Sequence, residues 1–111
     1  MKPFMFVFTG KPSPEKTELA HIKDAIIHVW VIDESLESAR RRAVSYVTGL
    51  QWSVESTEFG SEMLPSQLQG LHKDEALLYR RALRLGMAAD FVASPKVDGD
   101  PDDPIWIAPM G

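Results

Sequence analysis

The densest apolar run in the chain is Ile26-Ile27-His28-Val29-Trp30-Val31-Ile32, interrupted only by His28, which is the pattern of a strand covered on both faces. Asp33-Glu34-Ser35 follows with side-chain oxygens that can accept from free helix amides, Asp33 or Ser35 serving as the cap. Leu36, Ala39, Ala43, Tyr46, Val47 and Leu50 then recur at helical spacing, predicting a helix over 36–49 with one apolar stripe. Gly49 before Leu50 predicts a left-handed ending. Leu50, Trp52, Val54 and Ser56 alternate with Gln51, Ser53, Glu55 and Thr57, as in a strand with one wet face. Short connections on both sides of the helix predict two parallel strands joined by a right-handed crossover.

The same patterning fills in the remainder. Phe4-Met5-Phe6-Val7-Phe8 predicts a strand sharing the core with Ile26–Ile32, ended by Gly10-Lys11-Pro12-Ser13-Pro14. Glu15–Asp24 reads as a loop that gains strand character toward its end. Gly60, Pro65 and Gly70 mark 59–71 as a connector with room for one helical turn opened by Ser66. A second helix is predicted over 72–85, with Leu78, Tyr79, Ala82, Leu83 and Leu85 toward one side and Gly86 ending it. Ala89–Ala93 predicts a short strand, 94–104 an acidic surface loop and Ile105–Ala108 an edge strand. Together these give a single α+β domain over 1–111. Its expected architecture is a two-layer mixed β-sheet with two helices on one face, ferredoxin-like, or plait-like. The unit from Ile26 to Phe59 resembles the strand-helix-strand of many small plait-like proteins, a likeness that carries no functional residue.

Composition narrows the classes of function. The 111 residues, 44% hydrophobic and 25% charged, suffice for one core. A net charge of −4 argues against nucleic acid as the main partner, and the aromatic strands lack the basic neighbours that RNA-binding plaits use. Cysteine is absent, so thiolate metal sites and disulfides are too. No run has the length of a membrane span and the N-terminal pattern is not that of a signal peptide, so a cytoplasmic location is the expectation.

Candidate chemistry is sparse. The chain holds no Gly-x-Ser-x-Gly elbow and no phosphate loop. His21, His28 and His72 lack metal-ligand spacing. Asp98, Asp100 and Asp102 alternate as calcium ligands do, but Asp103 and Pro109 replace the turn glycine and the closing glutamate, so no metal and no cofactor is expected. Lys73, Leu77, Arg80, Arg81 and Arg84 form one stripe on the second helix, either a solvated face or a docking strip for an acidic protein or an anion. Arg40, Arg41 and Arg42 diverge around their helix, and Glu37 can neutralise Arg41. Glu75 falls in the first turn of the second helix, where a carboxylate meets the positive helix end; Tyr79 is its one nearby partner for acid-base work.

Two helices on one face would leave the other side of an apolar sheet bare. The expectation is therefore a homodimer closed through Phe6, His28, Trp30 and Trp52. The functional expectation is a small non-enzymatic binding or regulatory module that homodimerises through that open face. Its alternative is a small dimeric plait-type enzyme with a pocket on the sheet face, using His28 or Glu75 in proton transfer.

Overall fold

The computed structural model describes residues 1–95. Strand β1 spans Lys2–Pro12, β2 Ile22–Asp33, β3 Trp52–Glu62 and β4 Met87–Pro95; helix α1 spans Leu36–Gly49, α2 Pro65–Gln69 and α3 Lys73–Leu85. A single 3-10 turn at Thr17–Leu19 sits between β1 and β2. The class is α+β and the architecture plait-like: a four-stranded sheet in the order β3-β1-β2-β4, accompanied by the three helices. The edge strand predicted at 105–108 and the predicted acidic loop from 96 onward, with its aspartates, lie outside the described residues, while Ser94 and Pro95 belong to β4.

Two parts of the expected architecture change. Every pair of neighbouring strands is antiparallel, so the sheet is not mixed. β2 and β3 do run parallel, as the α1 crossover implies, but β1 lies between them and pairs with both. The helices also do not share one face. Registered rows Phe4/Val31/Met87, Phe6/Val29/Ala89 and Phe8/Ile27/Phe91 form one side of the sheet, and Ala39, Ala43 and Val47 of α1 join them in the larger core. Rows Met5/Trp30/Ala88, Val7/His28/Asp90 and Thr9/Ile26/Val92 form the other. There Trp30, Ala88, Met63 and Ala82 make a second core, with Met5, Ile32, Leu68, Leu71, Leu78 and Tyr79 packed around it. Met5, Trp30 and Ala88 make one end of the second face apolar, so that end needs a roof of its own. α2 and α3 supply it, at one end only: at the other, Ile26 and Val92 are 47% and 43% exposed.

Helix ends follow local chemistry. Ser35 is the N-cap of α1, its Oγ accepting from Ser38 N at 3.2 Å. Gly49 stays helical, and the left-handed residue is instead Gln51 at φ 66°. The expected ending does appear at Gly86, whose φ of 88° costs glycine little and whose N–H donates to Ala82 O at 2.7 Å. Gly60 serves close approach: a Cβ there would stand 2.9 Å from Phe6 Cδ1.

Asp33, at the β2–α1 junction, is buried and holds three donors. Glu34 N reaches it at 2.6 Å, Ser38 Oγ at 2.9 Å and Arg42 NH1 at 3.1 Å, and Arg42 also donates to Ile32 O. The Glu34 amide first, then the Arg42 side chain, hold its carboxyl below the usual value, outweighing burial. A carboxyl depressed on folding contributes stability above its unfolded pKa of roughly 4 and loses it as pH falls through the lower folded value. Asp33→Asn is therefore expected to start less stable at neutral pH and to lose less between about pH 5 and pH 2. Thermal midpoints against pH test this, and curves that stay parallel from neutral to acid would exclude the linkage.

Candidate functional site

A cleft of about 180 Å³ opens where the first turn of α3 overhangs the second sheet face, lined by Met5, His28, Trp30, Asp74, Glu75, Leu78 and Asp90. Three strands and one helix meet there. Antiparallel register sets His28 of β2 opposite Asp90 of β4, with Met5 and Trp30 one row away on the same face. Alternation explains why these side chains share a side, since successive strand residues point to opposite faces. Asp74 and Glu75 enter from the first turn of α3, where helix amides favour carboxylates. Leu78, one turn on, gives an apolar wall.

The floor is Trp30, which is fully buried, its ring 5.2 Å from Tyr79 at a 42° tilt. Its indole Nε1 has no hydrogen-bond acceptor. A buried N–H without a partner is costly, and this one is closed off from solvent. Three carboxylates against one imidazole give the cleft a net negative lining. Among the described residues no group of three or more His, Asp or Glu side chains is placed to hold a metal ion.

The expected site residues are thus redistributed. His28 and Glu75, both considered for proton transfer, come together in this cleft. Tyr79 packs on Trp30 and does not line it. Phe6, Trp30 and Trp52 are 1%, 0% and 4% exposed, so within this fold they are core side chains with no surface to offer a second copy. The cause is the division of the helices between faces, which roofs both aromatic sets. Lys73, Leu77, Arg80, Arg81 and Arg84 lie exposed along α3 and make no ion pair among the described residues. Arg40 reaches Thr57 Oγ1 at 3.4 Å while Arg42 is taken up by Asp33 and Ile32. Asp74, Asp90 and Met5 were not anticipated. Asp90 did carry a signal, as the single polar residue in Ala88–Val92, but its meaning depends on the register that places it against His28.

No helix among the described residues is long and apolar enough to cross a membrane. Scans against family models, curated proteins and solved structures returned no match to this chain.

Proposed function

We propose that the protein is a small binding module that takes up a compact organic cation, an amine on an apolar body, in the cleft beneath α3. One observation supports this reading above the others: His28, Asp74, Glu75 and Asp90, from three separate elements, converge around an apolar floor of Met5, Trp30 and Leu78. The carboxylates would pair with the ammonium, and the Met5 and Leu78 side chains would take the apolar part. The volume sets the scale, since sites for drug-sized ligands run to roughly 300 Å³ and above. A single-ring amine is the size that fits.

Benzylamine, protonated at neutral pH, is a suitable probe, with benzoate as its counterpart of opposite charge. Titration followed by NMR is expected to move the Trp30 indole and the His28 and Asp90 amides with benzylamine and to leave them in place with benzoate. Asp90→Asn combined with Glu75→Gln should weaken benzylamine at least tenfold. Equal response to both probes, or to neither, would defeat the proposal. A small acid-base enzyme is the second reading, favoured by the placement of Asp90 opposite His28, a carboxylate beside a proton carrier. Amine recovered chemically unchanged after long incubation with the saturated protein counts against it and leaves the binding reading intact.

A further inference from the structure

The connection between β1 and β2 is tied down at several points. Ser13 N donates to Gln51 O at 2.8 Å, Lys16 N to Ser13 O at 2.9 Å, and Lys16 Nζ to Leu50 O at 3.0 Å. These bonds anchor the loop to the start of β3 and frame a cavity of about 310 Å³ that shares no residue with the α3 cleft. Its lining includes three lysines, Lys11, Lys16 and Lys23, together with Ser13 and Thr17. Its floor includes Ile22, which is 1% exposed.

Among the described residues no carboxylate lines this cavity. The ion pairs among the described residues are Lys2 with Glu62 and Arg42 with Asp33, so none of the three lysines is neutralised by one. Glu15, Glu18 and Asp24 lie in the same stretch but do not line the cavity, so the lining itself is positive and suits an anion. Lys16 is half-buried, and its ammonium, held by the Leu50 carbonyl, keeps two N–H donors for another acceptor.

We infer that this cavity is a second binding site, for a small organic anion with a carboxylate or phosphate group on an apolar body. The ammonium groups and hydroxyls donate to the anionic oxygens, and the Ile22 floor takes the apolar end. An inorganic anion would meet the rim alone and bind more weakly.

The experiment is an amide-resolved NMR titration of the full chain with benzoate and phenyl phosphate, using benzyl alcohol and inorganic phosphate as controls. Saturable shifts of Ser13, Thr17 and Ile22 are expected with benzoate or phenyl phosphate, and the tighter of the two identifies the anionic group. Benzyl alcohol should leave those amides unmoved. Lys11→Gln with Lys23→Gln removes two exposed charges, spares the anchored Lys16, and should weaken binding at least tenfold. Absence of saturable shifts with both anions, an equal response to benzyl alcohol, unchanged binding in the double variant, or inorganic phosphate binding as tightly as phenyl phosphate would each overturn the assignment.

Discussion

Trp30→Ala is expected to destabilise the protein by about 3–5 kcal/mol, the usual cost of emptying a large buried aromatic position. Among the described residues Trp30 is the largest fully buried side chain, and it belongs to the core beneath α3. Ala82 and Ala88 are too small to fill the space left behind, and Leu78 and Tyr79 are fixed by the helix that carries them. Domains of this size are stable by only about 5–15 kcal/mol, so the variant should unfold at much lower denaturant. The loss should also be local in order: amides of α3 should exchange faster before those of α1, because α1 packs on the opposite face. Trp30→Phe keeps a ring and deletes the unpaired N–H, so it should cost clearly less. Urea unfolding with hydrogen exchange measures all three, and an alanine variant as stable as its parent would mean that α3 is not held through Trp30.

Phe8→Ala is expected to cost a similar amount, about 3–5 kcal/mol, through the other core. Phe8 is fully buried, lies parallel to Phe6 with ring centroids 5.8 Å apart, and is registered between Ile27 of β2 and Thr57 of β3. It belongs to the cluster that receives Ala39, Ala43 and Val47 of α1, so its removal weakens three strands and the crossover helix together. Unfolding of this variant should remain one cooperative step, with α1 and α3 losing protection in parallel. If α3 alone loosened, the separation of the two cores by the sheet would be disproved.

The two variants also measure how far the sheet insulates its faces. Both aromatic sets were legible as strand residues from alternation, since Phe4, Phe6 and Phe8 must point opposite to Met5 and Val7 wherever that strand lies. Their partners were not legible. A face is named only when a neighbour covers it, and the long, polar α3 could have been placed on either side by pattern alone. The assumption that it joined α1 produced the expectation of a bare aromatic face, and with it the choice of Phe6, Trp30 and Trp52 as contact residues for a second copy. With those residues covered inside the chain, that argument for assembly no longer has a starting point.

The candidate sites divide in the same way. His28 was noticeable as the polar interruption of an apolar strand, and Glu75 as a carboxylate on the inner side of a helix start. Neither position carried the other, because 46 residues and an intervening crossover separate them in the chain. Asp90 becomes meaningful only through its pairing with His28. Lys11, Lys16 and Lys23 are ordinary lysines in a list of residues and become a rim only when Lys16 is pinned to Leu50 O.

By itself, the order of residues determined the strands around Ile26–Ile32 and Phe4–Phe8, both long helices, the glycine stop at Gly86 and the α+β class. Those features depend on steric preference and on the period of burial, which act over a few neighbouring residues. Strand order, the face taken by each helix and the grouping of His28 with Asp90 were decided by the tertiary structure. They follow from which apolar surfaces meet across long stretches of chain, a competition between whole faces that no local window contains.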